Sequence, residues 1–179
     1  MYEGKWIRLR EYKKEDIPLR LMYINDPDIS CSLTPEIPYP MTLHDEELWF
    51  ESLTAIGDSY KFAIETLEDR KFIGGCSING VDWKNSVATV GIFIGSGMHR
   101  GKGYGTDTMH VLINFIFMQM DINKIKLTVY SYNESAIKCY KKCGFKVEGI
   151  LRQEIYKDGK RYDKIAMGLL KDEYLSSCS

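Results

Sequence analysis

The feature that most restricts the fold is a glycine-rich run, residues 95–105, between a strand pattern and a helix pattern. Residues 88–94 have the composition of a strand, and residues 106–120 carry apolar side chains at helical spacing. A further strand pattern follows at residues 124–130. The segment therefore predicts a strand, a helix and a second strand in succession, which is typical of proteins that mix α and β structure.

Hairpins and shorter helices are predicted on both sides of this unit. Further strands are expected at residues 6–10, 61–66, 71–78, 147–156 and 161–169, and further helices at residues 16–23, 42–53 and 133–144. Asp158-Gly159 is typical of a type I′ hairpin turn, and the helix at 42–53 is expected to bury Leu48, Trp49 and Leu53. We therefore expect one α/β (α+β) domain over residues 1–179, with a single mixed, mostly antiparallel, twisted sheet flanked by helices.

Composition narrows the classes of protein to which the chain can belong. With 179 residues, 44% of them hydrophobic, the chain can close one core. The net charge of −1 gives no sign of a nucleic-acid or membrane partner. The five cysteines show no disulfide rhythm and no zinc-ligand spacing. Because no signal peptide or membrane-spanning stretch is visible, we expect a cytoplasmic protein with free thiols and no metal.

Charge is unevenly distributed along the chain. Residues 21–60 contain no Lys or Arg but eight carboxylates, namely Asp26, Asp28, Glu36, Asp45, Glu46, Glu47, Glu51 and Asp58. Residues 124–171 contain twelve Lys and Arg against five acidic residues. One part of the chain can therefore attract a cation and another part an anion.

The glycine-rich run has the properties of a phosphate-binding turn. Glycine lets the backbone approach a phosphate closely, and the amides at the start of the following helix point at the anion. The run lacks the Gly-Lys-Ser/Thr ending of a Walker loop and the spacing of the dinucleotide-binding fingerprint. A flexible connection between two elements is the alternative interpretation.

A second motif lies about one strand and one helix further on. Arg100, Gly103 and Gly105 form an Arg-x-x-Gly-x-Gly pattern that resembles the acetyl-coenzyme A signature of the GNAT acetyltransferase superfamily. The later pattern resembles that family's Asn-x-x-Ala-x-x-x-Tyr-x-x-x-Gly-Phe motif, matched at Asn133, Ala136, Tyr140, Gly144 and Phe145. The ends of the chain resemble the branch that contains ribosomal-protein N-terminal acetyltransferases and spermidine acetyltransferase.

The resemblance implies a role for each matched residue. The backbone of Gly101, Lys102, Gly103, Tyr104, Gly105 and Thr106 would hold the pyrophosphate of acetyl-coenzyme A, the pantetheine arm would run along Ile92, Phe93 and Ile94, and Arg100, Asn133, Ser135 and Lys138 would complete the coenzyme site. Tyr140 would act as the general acid that protonates the departing thiolate. A core tyrosine packed under Phe145 is the alternative. Lys141 and Lys142 fit a phosphate contact and a solvated helix end equally well.

The sequence leaves the base and the acceptor open. Many relatives carry Glu where this chain has Thr89, so water, Glu36 or His44 are the remaining routes for the proton of the amine. The predicted partners are acetyl-coenzyme A and either a small cationic amine, such as a polyamine, or a protein N-terminus, and a homodimer is left open. An acetyl-coenzyme A sensor without turnover and a nucleotide-binding module are the rival functions.

Overall fold

The computed structural model describes residues 2–33, 36–53, 59–95 and 97–177. The strands are β1 (Ile7–Arg10), β2 (Tyr60–Thr66), β3 (Phe72–Asp82), β4 (Val87–Ile94), β5 (Lys124–Tyr130), β6 (Lys146–Lys157) and β7 (Lys160–Leu170). The α-helices are α1 (Ile17–Ile24), α2 (Pro27–Leu33), α3 (Leu43–Glu51), α4 (Tyr104–Gln119), α5 (Glu134–Lys142) and α6 (Lys171–Ser177), with short 3₁₀ turns at Lys14–Asp16 and Gly97–His99.

The strands form one seven-stranded sheet in the order β1-β2-β3-β4-β5-β7-β6. Neighbours are antiparallel except β4 and β5, which are joined through α4 and pair in parallel. The predicted fold class, a mixed and mostly antiparallel sheet flanked by helices, is confirmed. The single-domain boundary of 1–179 stays a prediction.

Helices cover both faces of the sheet. The main core joins the sheet to α4 and α5, and Leu112 and Ile116 of α4 are fully buried in it. A second, smaller cluster on the opposite face contains Tyr23 of α1, Ile29 of α2 and Phe72 of β3, with Phe93 of β4 packed against it. Because the side chains of a strand alternate between its two faces, Phe93 packs on this second cluster while its neighbours Ile92 and Ile94 pack on the main core.

Several local signals in the sequence produce the turns and caps that they predict. Asp158 and Gly159 both have positive φ, at +49° and +77°, as a type I′ turn requires. Thr42 and Asp45 form a reciprocal capping box at the start of α3.

The elements differ from the expectations at four places. Helix α2 was not predicted; it begins at Pro27 because Asp26 accepts the N–H of Asp28 at 2.9 Å. Helix α6 was not predicted. Strand β3 continues to Asp82, past the predicted end at residue 78, with a register irregularity between Ile78 and Gly80. Helix α4 begins at Tyr104, two residues before the predicted start.

The expected apolar stripe of α3 is also wrong in part. Leu48 is 51% exposed, whereas Glu46 is 1% exposed and forms an ion pair with Arg20 of α1. The Arg20 guanidinium also lies 3.4 Å from the ring centroid of Trp49. Helix α3 therefore docks through a buried ion pair and a cation–π contact, which a hydrophobic pattern cannot reveal.

Candidate active site

The two parallel strands of the sheet, β4 and β5, separate along their length. Three residue pairs join them, ending at Thr89↔Lys126, and the described residues contain no further pair between these strands. Strand β4 continues to Ile94 and β5 to Tyr130, so a wedge opens between them, while the other edge of β4 stays paired with β3. An extended molecule can pair with the free edge of β4 as an added strand would.

The open end of the wedge leads into the turn before α4. Gly101 and Gly103 have φ values of +74° and +88°, in the left-handed region that glycine adopts at little cost. Gly103 is the N-cap of α4, so the amides of Tyr104, Gly105 and Thr106 lie in the first turn, where helical geometry supplies no acceptor. These amides and the helix dipole together form a site for an anion such as a pyrophosphate.

The start of α4 is held by a carboxylate that the sequence analysis did not single out. Asp107 accepts the backbone N–H groups of Lys5, Trp6 and Ile7 at 2.9, 2.8 and 3.2 Å. A Cβ at Gly4 would lie 2.5 Å from the same carboxylate, so this approach requires glycine. Because 101 residues separate Asp107 from Trp6, no local signal could have revealed the contact.

Helix α5 begins and ends at residues that the sequence marks. The Asn133 side chain accepts a first-turn N–H at 3.2 Å, which caps the helix. At the other end Gly144 has φ +93°, and the N–H groups of Gly144 and Phe145 donate to the carbonyls of Lys141 and Tyr140. This pair of bonds is a Schellman motif. It fixes the last turn of α5 and so positions Tyr140.

The Tyr140 side chain lies in the main core. It is 7% exposed, and its ring packs edge-on against Phe145 with centroids 6.0 Å apart. Burial raises the pKa of Tyr140 well above its ordinary 10.0, and the neighbouring Cys139 and Cys143 act in the same direction. The phenol therefore keeps its proton throughout the physiological range and can serve as a hydrogen-bond or proton donor.

Two thiols connect α5 to the first turn of α4. Cys139 Sγ lies 3.5 Å from Thr106 Oγ1, and Cys143 Sγ donates to the Thr106 carbonyl at 3.8 Å. The Thr106 hydroxyl therefore faces α5, and its backbone N–H is the group left for an anion. Hydrogen bonding with Cys143 lowers the pKa of Cys139 below its ordinary 9.0, against the opposing effect of burial.

Comparison with known proteins identifies the family. The family model of the acetyltransferase (GNAT) domain matches residues 7–146. The chain belongs to the GNAT acetyltransferase family. It is 30% identical over 169 residues to the SPbeta prophage-derived uncharacterized N-acetyltransferase YokL of Bacillus subtilis (strain 168), covering 89% of this chain and 93% of that protein.

Two further similarities come from polyamine acetyltransferases. The chain is 27% identical over 178 residues to the spermidine N(1)-acetyltransferase of Escherichia coli (strain K12), covering 95% of this chain and 89% of that protein. It shares its fold with spermidine N-acetyltransferase from Vibrio cholerae, solved in complex with CoA and spermine, at a TM-score of 0.84, with 24% identity over 94% of this chain and 98% of the other. The predicted activity is confirmed: this GNAT protein is an N-acetyltransferase that uses acetyl-coenzyme A.

The predicted coenzyme residues lie on β4, on the turn before α4 and at the start of α5. Ile92 and Ile94 pack on the main core and Phe93 on the second cluster, so the backbone of β4 is what the wedge offers. Arg100 Nε donates to the Ile94 carbonyl at 3.4 Å, which ties the turn to the end of β4. Lys102 and Ser135 are exposed. Lys138 is 74% exposed and lies 3.7 Å from Glu134, a pair that adds little stability.

The candidate bases lie on different elements of this GNAT domain. Thr89 is half-buried at the narrow end of the wedge, paired with Lys126. His44 is exposed in the first turn of α3, and Glu36 is exposed between α2 and α3. No carboxylate takes the place that Thr89 holds, so a proton relay through water remains the simplest route.

Much of the acidic segment supports the fold. Asp26 caps α2, Asp45 caps α3 and Glu46 is paired with Arg20. Asp58 lies outside the described residues. Within the described ranges, no cluster of three or more metal-binding side chains occurs, and no helix there has the length and apolar character needed to cross a membrane.

Proposed function

We propose that this acetyltransferase passes the acetyl group to a primary amine by direct attack within a ternary complex, and that a small cationic amine is the acceptor. The observation that carries the direct-attack proposal is the wedge. Its β4 edge and the adjoining glycine turn suit the coenzyme on the side of α4 and α5, which leaves the opposite face of the sheet for the amine. The names of the spermidine acetyltransferases similar to this chain favour a polyamine over a protein N-terminus.

The residues of the site divide the work in this proposal. Amides of Tyr104, Gly105 and Thr106 hold the pyrophosphate, and a β4 amide donates to the oxyanion that forms when the amine attacks. The Tyr140 hydroxyl donates to the departing thiolate. Its raised pKa makes full proton transfer less favourable, but the same burial destabilises the thiolate and makes it more basic. The ammonium loses its proton to water before attack.

The phosphate site is tested by a charge reversal at α4. A Cβ at Gly105 would lie 3.8 Å from Cys139 Sγ and 3.9 Å from Ile94, which is ordinary contact, so Gly105→Glu should fold. Its carboxylate would repel the pyrophosphate and abolish the rise in Tm that acetyl-coenzyme A produces. Gly80→Glu adds the same charge at an open position and is the control. An undiminished shift in Gly105→Glu would place the phosphates elsewhere.

The role of Tyr140 is tested by removing its hydroxyl. Tyr140→Phe should keep the coenzyme-induced rise in Tm and lower kcat by about 10²–10⁴-fold, measured as release of the coenzyme A thiol with a panel of amines and peptides. Tyr156→Phe, at a tyrosine that is 64% exposed, is the matched control. Unchanged turnover in Tyr140→Phe would make this side chain part of the core only. Binding of acetyl-coenzyme A with no thiol release for any amine would instead support the sensor alternative.

Self-association is proposed as well. A Vibrio cholerae spermidine N-acetyltransferase that shares this fold has a dodecameric structure, which supports an oligomer here. Light scattering on the purified chain would distinguish a monomer, the homodimer considered above and a larger oligomer, and a monomer at all concentrations would contradict the proposal.

A further inference from the structure

A cluster of three tyrosines, Tyr130, Tyr132 and Tyr162, lies at the end of β5. The Tyr132 ring stands edge-on to Tyr162 at a centroid distance of 4.9 Å and is tilted against Tyr130 at 5.6 Å. The Tyr132 hydroxyl donates to the backbone carbonyl of Cys31 in α2. Since β5 ends where the wedge is open, Tyr132 spans from the β5 side of the wedge to α2.

This tyrosine cluster is on the face of the sheet that the acceptor would approach. Helix α2 belongs to the cluster of Ile29, Phe72 and Phe93, on the opposite face from α4 and α5. The coenzyme residues of the proposed site are on the α4 and α5 side. Contact with Cys31 therefore places Tyr132 across the wedge from the coenzyme.

The tyrosine cluster already holds a cation from the protein itself. Lys157 Nζ lies 4.7 Å from the centroid of the Tyr132 ring. Burial raises the pKa of Tyr132 to about 12, so the ring stays a neutral phenol with an electron-rich face. An alkylammonium is thus stable on this face, and the lysine side chain shows the kind of group that the site accepts.

We propose that the Tyr132 face is a subsite for the second ammonium of a diamine or polyamine acceptor, and that Lys157 is an internal competitor which the acceptor displaces. The inference rests on the proposed function, because it assumes that an amine reaches the wedge from this face. Lys157 ends β6 at the hairpin turn, opposite Lys160, so its displaced ammonium has solvent close by.

The nearby charges are compatible with such an exchange. Asp158 is close enough to contribute to the raised pKa of Tyr132, and Lys164 is paired with Glu154 at 3.3 Å. When a polyamine ammonium replaces the Lys157 ammonium on the ring, the charge at the cluster is unchanged. Displacement of Lys157 is therefore one cost of binding at this ring.

The test compares two lysines of the same hairpin. Lys157→Met should lower KM for spermidine about 3- to 10-fold with kcat unchanged, because the internal competitor is gone. Lys160→Met removes an equal charge on the other strand of the hairpin. It should change the KM for spermidine by less than about twofold, because the Lys160 side chain is exposed and its charge is screened. Equal changes in KM for the two variants would mean that the lysines repel spermidine only by long-range electrostatics, and would overturn the proposal.

A second pair of variants examines the ring itself. Tyr132→Leu should raise KM for spermidine about tenfold and leave KM for n-butylamine within about twofold, because a monoamine has no second ammonium. Tyr132→Phe keeps the aromatic face and loses only the bond to Cys31, so it should retain most of the preference for spermidine. If Tyr132→Leu impairs both amines alike, the ring only supports the fold of the wedge and the subsite is refuted.

A binding measurement separates this inference from the proposed function. Calorimetric titration of spermidine into the protein saturated with coenzyme A involves no turnover. Tighter binding in Lys157→Met and weaker binding in Tyr132→Leu would support the subsite even if no amine is acetylated. Acetylation of amines with no difference among the variants in either assay would uphold the proposed function and overturn the subsite.

Discussion

The carboxylate of Asp107 ties the N-terminal segment to the first turn of the proposed phosphate-binding helix, and Asp107→Asn should destabilise the protein measurably. Two of its three hydrogen bonds, to Lys5 and Trp6, are exposed, and the third, to Ile7, is partly buried. A hydrogen bond to a charged group contributes about 1.5–3 kcal/mol when buried and less when exposed. The expected loss is about 2–3 kcal/mol, or about 4–12 °C in Tm for a chain of this size.

Thermal and urea unfolding of Asp107→Asn beside Asp121→Asn would measure this effect. Asp121 follows the same helix, its side chain is fully exposed and its 3.7 Å pair with Lys171 is weak, so its variant should lose less than about 0.5 kcal/mol. Gly4→Ala crowds the same carboxylate, and the double variant with Asp107→Asn should lose less than the sum of the two. Equal stability of the two aspartate variants, or strict additivity with Gly4→Ala, would refute the anchoring role.

Three further outcomes are expected. Although burial opposes it, hydrogen bonds from Arg10 and Arg8 lower the pKa of Glu65 below 4.5. The contribution of Glu65 to stability is therefore complete above that pH and is lost as the pH falls. Glu65→Gln should make the urea midpoint depend less on pH in this range, and an unchanged dependence would contradict the expectation. Glu46→Gln leaves Arg20 buried without its anion and should lower the free energy of unfolding in urea by about 3–5 kcal/mol. The control Glu47→Gln should lower it by less than about 1 kcal/mol, and similar losses in the two variants would show that the ion pair does not hold α3. If the acidic segment steers polyamines, kcat/KM for spermidine should fall more steeply than that for a neutral amine between 0.1 and about 1 M salt, and parallel slopes would remove any role in selection.

The features that the sequence predicted correctly depend on short-range chemistry. Asn133 and Gly144 mark the two ends of α5 because one side chain and one backbone angle are enough to start and stop a helix. Asp158-Gly159 likewise determines its turn alone. Helix α2 could have been found by the same logic, since Asp26-Pro27 is an N-cap followed by proline at the first helical position.

The features that were missed depend on partners distant in sequence. Glu46 is buried only because Arg20 reaches it from another helix, and hydrophobic spacing assigned the buried face of α3 to the side of Leu48 instead. The bonds from Asp107 to the N-terminal segment have the same character.

The two sides of the wedge differ in the same physical way, which explains why the coenzyme side was predicted in more detail than the acceptor side. A phosphate is bound by backbone amides, so its site is determined by glycines and a helix start that are contiguous in sequence. The amine is a small cation, and a site for it must be assembled from side chains of several elements, as Tyr132, Tyr162 and Lys157 are. The carboxylates of residues 21–60 indicate a cation-binding region, but Asp26, Asp45 and Glu46 hold helices instead. Aromatic faces carry no net charge, and for that reason a charge pattern cannot detect the tyrosine cluster that the folded chain places at the wedge.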